Sequence, residues 1–552
     1  MLRPILTLAA AVLAALATSA AAQDISPQRL SDITRELASD PYAGRAPGGP
    51  GEQKTIDFIV GQFQALGLTP AGDHGGWTEE VPLYRFQTEP GGAYALTVNG
   101  RSKVLHEPAD LRIETQRPVP QVSITDAPLV FVGYGVTAPE RGWDDFKGYD
   151  LKGKIALVLI NDPDFEAQPG DPVAGKFGGK AATFYARWVY KYEEAVRRGA
   201  LGVLIVHETA GAAYGWSTVI AGGGESYDVV RDDPAKARLL LQGWIQRDLA
   251  VELFRECGLD FEAEKARART AAFRPVELKG ATFSAAYRNS FTKLVSHNVL
   301  AALPGAKRPD ETILYGAHWD AYGLGPPDAT GATIRAGAVD DAVGVAAVIE
   351  TARAFKAGPP PERTILFAAW TGEERGLLGS EYWAEHAGDT LAKMAGSYTF
   401  DVLQTAGPAH DMVLVGAGQN QLERGLAAVA AAHDRTITPD PKPDRALFYR
   451  ADHFSLAKRG VPTLLFMGLG GGADLVQGGR TAGDAWVEAY TAHCYHQPCD
   501  RWSADQDYRG AAADAQLAFE AGKALANSER WPDWNADSEF KAIRAGSAAQ
   551  RR

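Results

Sequence analysis

From residue 298 onward, short and almost wholly apolar runs alternate with amphipathic segments, and this alternation constrains the fold more than any other feature. Candidate strands lie at 298–302, 312–317, 364–369, 397–400, 412–415 and 463–467, with helical patterns between several of them. Runs this short and this continuous suit strands buried on both faces, as in a parallel sheet covered by helices on each side. The pattern predicts an α/β domain with a mostly parallel central sheet. In such sheets ligands bind beyond the carboxyl ends of the strands, so those ends are where function is to be sought.

The chain has 552 residues, enough for two or three domains at about 150 residues each. Residues 1–22 begin with Arg3, continue as an alanine-rich apolar run and end on Ala20-Ala21-Ala22, the three-part pattern of a secretory signal peptide. The product is therefore expected to be exported, periplasmic or secreted, with no membrane attachment once that segment is removed. Helical periodicity follows at 25–38 and 56–66. From about residue 91 the texture changes to strand-like runs at 94–98, 129–134, 155–160 and 201–206, with 180–198 and 232–265 reading as helical. A formal net charge of −12 lacks the basic footprint that nucleic acid or an anionic membrane surface requires. Three cysteines exclude a disulfide-rich scaffold and any cysteine-built zinc module.

Each strand, followed to its end, meets a polar group. The run 312–317 leads into His318-Trp319-Asp320, and 364–369 into Trp370-Thr371-Gly372-Glu373-Glu374. The run 397–400 leads into Asp401, Gly337-Ala338-Val339-Asp340-Asp341 opens a helix, and Tyr495-His496 comes near the end. Imidazole and carboxylate gathered at one sheet edge suit zinc and related divalent metals. Singly, each group has a simpler reading. Asp340 or Asp341 can cap the helix, Glu373-Glu374 can be a solvated pair, His318 a hydrogen-bonded core residue and His496 a surface one. The joint pattern favours a metal site, because helix capping does not bring all these groups to the ligand-binding edge.

These segments, taken together, resemble metallopeptidase family 28, the co-catalytic zinc aminopeptidases and related glutamate-carboxypeptidase-like enzymes. Gly316-Ala317-His318-Trp319-Asp320, Ala338-Val339-Asp340-Asp341-Ala342-Val343-Gly344 and Thr371-Gly372-Glu373-Glu374 occur in the family's order. Asp401, Tyr449-Arg450-Ala451-Asp452-His453 and Tyr495-His496 follow, and Ala43-Gly44-Arg45-Ala46-Pro47-Gly48 is similar to the family's opening segment. The stretches 151–158 and 199–203 resemble a protease-associated domain inserted into the peptidase. The resemblance implies a three-layer zinc-exopeptidase domain with a mostly parallel sheet and a β-rich insert. Its expected division is a leader at 1–22, an N-terminal peptidase part at 24–90, the insert at 91–279, the catalytic domain at 280–530 and a tail at 531–552.

Carried over residue by residue, the resemblance implies two zinc ions. His318, Asp340 and Asp401 would hold one and Asp340, Glu374 and His496 the other, with Asp340 bridging. Glu373 would be the general base, Tyr495 the donor to the oxyanion, and Asp320 the acceptor that fixes the tautomer of His318. Asp452 and His453 match a motif that lines the family's pocket and are expected on the substrate side. Thr399 stands where many members carry Asn, and the Asp340–Asp341 bond is cis in relatives.

Other signals point elsewhere less convincingly. The stretch 148–154 nearly spells a phosphate-binding loop, but Ile155 follows Lys154 and the segment leads into a strand. Gly468 to Gly472 reads as a loop at the rim of the cleft, and no GxSxG or HExxH occurs. Cys494 and Cys499 flank His496 and form either a small disulfide bracing that loop or two free thiols. The expectation is thus an exported, zinc-dependent exopeptidase acting on peptides through a water activated between two metals, most simply an aminopeptidase. A carboxypeptidase or dipeptidase shares the same ligands, and a catalytically silent binding protein is a third reading, disfavoured by the intact Glu373.

Overall fold

In the computed structural model, which describes residues 23–551, the strand Arg308–His318 sends Ile313, Tyr315 and Ala317 into one buried cluster and Leu314 into another. Arg363–Trp370 divides in the same way, with Ile365, Phe367 and Ala369 on the first side and Ala368 and Trp370 on the second. Successive side chains of a strand point to opposite faces, so an apolar residue at every position demands a helical layer on each. Pro27–Leu37, Glu52–Ala65, Val343–Lys356 and Arg509–Ala526 supply one layer through Leu30, Ile59, Val345, Ile349 and Phe519. Leu378–His386 and His453–Ala457 supply the other through Trp383, Ala384 and Leu456. The outcome is a three-layer α/β arrangement.

Thr463–Phe466, Met394–Phe400, Arg308–His318 and Arg363–Trp370 lie side by side and parallel. The carboxyl-terminal end of Val276–Leu303 and the short Thr69–Pro70 add antiparallel strands at one edge. The register sets His318 opposite Trp370 and Gly316 opposite Thr399, which brings Asp401 level with His318. The run 412–415 forms the strand Asp411–Leu414, but it pairs with Thr436–Pro439 in a separate two-stranded sheet. Its composition matches the main-sheet strands; only tertiary pairing distinguishes it.

The chain divides into two compact units. The first comprises the chain up to Val81, Val295–Pro441 and everything from Arg450, and holds the sheet just described. The second comprises Pro82–Leu294 and Lys442–Tyr449, whereas the insert was expected as a single segment at 91–279. Its own sheet places Gln121–Phe131, Ile155–Leu159, Gly202–His207 and Leu241–Gln246 parallel in that order, with Leu111–Glu114 antiparallel at the edge. Ala93–Val98 and Arg101–Leu105 form a hairpin in the same unit. The helix expected across 232–265 is interrupted by the strand Leu241–Gln246, flanked by Arg247–Glu256 and Phe261–Ala268. Charged flanks masked a buried run that completes the sheet between two neighbours.

The tail expected from 531 is tied into the first unit. Trp534 is wholly buried and donates to the Gly460 carbonyl at 2.9 Å, and buried Arg544 donates to Met394 at 2.9 Å. The leader expected at 1–22 lies outside the described residues. Among the described residues, no helix is long and apolar enough to cross a membrane.

Candidate metal centre

Three neighbouring parallel strands of the first unit bring their carboxyl ends to one place. His318 is the last residue of its strand, Asp401 follows Met394–Phe400 directly, and Glu373 and Glu374 lie in a turn just after Arg363–Trp370. Asp340 and Asp341 sit in the turn before Val343–Lys356, and the peptide bond between them is cis. Asp341 takes the capping role: its Oδ1 accepts from Gly344 N–H at 3.0 Å and from Val402 N–H at 3.2 Å, tying the helix start to the Asp401 strand. A Cβ on Gly344 would lie 2.2 Å from the Asp341 carboxylate, so only glycine fits there. With Asp341 engaged as the cap, Asp340 is left facing the histidines.

The ligand atoms of His318, Asp340 and Asp401 lie within 4.8 Å of one another, as do those of Asp340, Glu374 and His496. His318 Nε2 is 3.1 Å from Asp340 Oδ1, and His496 Nε2 is 3.2 Å from Asp340 Oδ2 and 3.1 Å from Glu374 Oε2. Asp340 is common to both groups. His318 Nδ1 donates to the Asp320 main-chain carbonyl at 3.0 Å, which leaves Nε2 directed at the carboxylates. The acceptor expected for that imidazole was the Asp320 carboxylate, but it is 3.8 Å away and accepts from Glu373 N–H at 3.0 Å instead. One residue therefore orients His318 through its main chain and the Glu373 turn through its side chain.

His318 Nε2, His496 Nε2 and Asp340 Oδ2 are buried with no hydrogen-bond partner among the described residues. Orphaned polar atoms of this kind are costly unless something else fills their bonding directions. A dication within each group would satisfy them, and nitrogen with carboxylate oxygen is the donor set zinc takes. The residues present therefore fit two such ions.

Electrostatics agree. Burial, with the charges of Asp340, Asp452 and Glu374, pushes the Asp401 carboxyl up to about 8 against the pull of His318. Burial, then Asp401, Glu374 and Asp452, raises Glu373 well above the usual carboxylate range despite His318. Burial alone would lower His496, but Glu374 and Asp340 hold it at about 10, and His318 is raised in the same way by Glu373, Asp340 and Asp341. The protein by itself thus keeps protons on groups that must lose them to bind a cation. Zinc affinity is accordingly expected to rise with pH across roughly 7 to 10, with protons released on binding at pH 7. Calorimetry in two buffers of different ionisation heat measures this; equal heats in both would contradict it.

Glu373 Oε2 lies 3.8 Å from His318 Nε2, beside both ligand groups. The Tyr495 ring centroid is 3.7 Å from that of His496, and burial with the charges of Asp340, Glu374 and Asp401 raises its phenol well above the usual value. Tyr495 accordingly stays a neutral O–H donor. Asp452 and His453, expected on the substrate side, are 1% and 0% exposed, as buried as the ligand His318. The Asp452 charge acts on Glu373, Asp401 and Asp320. Thr399 is likewise buried below the ligands. Cys494 and Cys499 are joined as a disulfide, with Cα atoms 5.1 Å apart, around the loop that carries His496.

Two participants escaped the sequence. Asp500, directly after that loop, accepts from Val339 N–H at 2.9 Å, Asp340 N–H at 3.1 Å and the Tyr490 hydroxyl at 2.9 Å. It couples the His496 loop to the backbone of Asp340; an acid next to the Cys-bounded loop was the only available signal. Tyr322 packs its ring 4.4 Å from that of His496, beside a hollow lined by Arg335, Gly337, Glu374 and Gln497.

Residues 298–520 match the sequence model of peptidase family M28. A curated relative from Pyrenophora teres f. teres (strain 0-1), described as a probable zinc metalloprotease, is 40% identical over 105 residues, 19% of this chain and 22% of that protein. Another of the same description, from Pyrenophora tritici-repentis (strain Pt-1C-BFP), is 39% identical over 105 residues, 19% of this chain and 24% of that protein. The matched stretch thus spans less than a quarter of the length of these relatives. Among solved structures, an aminopeptidase from Aneurinibacillus sp. strain AM-1 is similar over 91% of this chain and 94% of its own, with TM-score 0.48 and 21% identity. The stretch that resembles peptidase family M28, residues 298–520, contains both ligand groups from His318 to His496.

Proposed function

We propose that this protein is an exported, two-zinc exopeptidase that removes N-terminal residues from peptides. The observation that carries the reading is a pair of ligand groups sharing Asp340, with the carboxylate of Glu373 beside them. His318, Asp340 and Asp401 would hold one zinc ion, and Asp340, Glu374 and His496 the other. Zinc bound there would act as a Lewis acid, polarising the scissile carbonyl and lowering the pKa of water. Glu373 takes the proton of the attacking water at its carboxylate and returns it to the departing amine. Its burial keeps that carboxylate basic enough for the task. The Tyr495 hydroxyl donates to the oxygen on which charge develops, and its raised pKa keeps the proton in place. Asp320 supports the base and one ligand, through Glu373 N–H and His318 Nδ1–H.

The choice of the amino terminus is supported by the resemblance of the segments at 316–320, 338–344 and 371–374 to those of co-catalytic zinc aminopeptidases. Export is supported by the leader pattern of residues 1–22. The protease-associated character of the second unit belongs to the same reading, supported by the 151–158 and 199–203 segments.

Removing metal with a chelator is expected to abolish peptide hydrolysis, and zinc to restore it; undiminished activity in the chelated protein overturns the metallopeptidase reading. Free and N-acetylated versions of one peptide then separate the exopeptidases. Rejection of the acetylated peptide is expected. Its cleavage, together with a requirement for a free C-terminal carboxylate, would establish the carboxypeptidase alternative instead.

A further inference from the structure

Arg45 is a wholly buried cation outside the ligand set, and every one of its hydrogen bonds goes to main chain. Nε donates to the carbonyl of Trp319 at 2.7 Å, one residue after the ligand His318. One terminal nitrogen donates to Leu37 at 2.9 Å and to Ala336 at 2.5 Å, and the other to Gly337 at 2.7 Å. Ala336 and Gly337 begin the turn that delivers Asp340, and Leu37 ends the helix Pro27–Leu37, where the dipole favours a cation. A planar fork of five N–H groups is suited to holding three separate segments at fixed spacing; a lysine ammonium is not.

The backbone that presents this side chain is itself held in an unfavourable conformation. Ala43, Gly44 and Arg45 are three consecutive left-handed residues, with φ of 49°, 72° and 52°. For a residue with a side chain this conformation is disfavoured and persists only where surrounding contacts enforce it. Here Gly323 N–H donates to Gly44 at 3.0 Å and Ala321 N–H to Arg45 at 3.3 Å. A Cβ on Gly44 would come within 2.5 Å of the Arg335 carbonyl, so the chain passes too close for any other residue. Capping the helix that ends at Leu37 occupies only one of the Arg45 side-chain bonds; the others go to the segments on either side of the ligands. The insertion drives a cation between the segment that follows His318 and the segment that precedes Asp340.

We infer that Arg45 is a positioning residue for the metal centre, setting the spacing of His318 and Asp340 and thereby the affinity of both zinc positions, because Asp340 serves both. The inference rests on the metal-binding reading above. It distinguishes Arg45 from Asp500, which grips the Asp340 turn from the opposite chain segment through N–H groups rather than carbonyls. Together the two leave the Asp340 backbone little freedom.

The test is zinc binding by chelator competition on the full chain, with stoichiometry, for the wild type, Arg45→Met and Arg45→Lys, alongside melting of each with and without zinc. Arg45→Met is expected to weaken both zinc positions together by about 10–100-fold, and Arg45→Lys by less. The difference in Tm between zinc-loaded and metal-free protein is expected to shrink in proportion. A role in general stability would lower both melting points equally and leave zinc affinity unchanged. If Arg45→Met does not fold, Arg45→Lys decides. Wild-type zinc affinity in a folded variant overturns the inference, whereas failure of the wild type to bind zinc at all overturns the metal reading beneath it.

Discussion

Replacing Glu373 with Gln is expected to lower peptide hydrolysis by about 10²–10⁴-fold while the protein still binds two zinc ions. The two halves of this result separate the adjacent glutamates. Glu374 Oε2 is one of the atoms grouped with Asp340 and His496, whereas Glu373 lies outside both ligand groups, 3.8 Å from His318 Nε2. The amide is the same size and shape as the carboxylate, and the Glu373 N–H bond to Asp320 is a main-chain bond that the substitution leaves intact. What is lost is the ability to accept a proton. Steady-state kinetics with metal analysis of the same sample measures both; near-normal turnover removes Glu373 as the base, and loss of metal makes it a ligand.

Asp340→Ala is expected to have the opposite signature, loss of both zinc ions and of all hydrolysis above background. Asp340 is the one residue common to the two ligand groups, with Oδ1 facing His318 at 3.1 Å and Oδ2 facing His496 at 3.2 Å. Removing it leaves His318 with Asp401 and His496 with Glu374, only two protein ligands on each side. Zinc sites ordinarily need three or four. Asp341 cannot substitute, since it is held by Gly344 and Val402. Retention of one tightly bound zinc ion in a folded Asp340→Ala protein, read by stoichiometry, would show that the groups are independent and that the carboxylate does not bridge. His496→Ala, which touches one group only, provides the comparison.

Much of the site was legible because its residues sit where the fold class puts ligands. His318 and Asp401 end apolar runs, and a parallel sheet carries the ends of its strands to one edge whatever the details of register. The strands themselves were readable because both faces are buried, which leaves an apolar residue at almost every position. The same argument failed where local composition misleads. Leu241–Gln246 was hidden among charged residues, and the 412–415 run looked like the main-sheet strands yet joined Thr436–Pro439.

By itself the sequence determined the α/β class and the order of the strands' polar ends, because each depends on local periodicity and residue chemistry; the two ligand sets were what the resemblance to family 28 implied. Tertiary structure decided which aspartate caps the helix and which faces the histidines, as both lie in one turn and differ only in direction. It also decided the roles of Asp320, Asp500 and Arg45, whose partners are mostly main-chain groups. Every residue carries those groups, so no side-chain pattern can announce them. They acquire partners only when segments as distant as Arg45 and Gly337 meet in the folded chain.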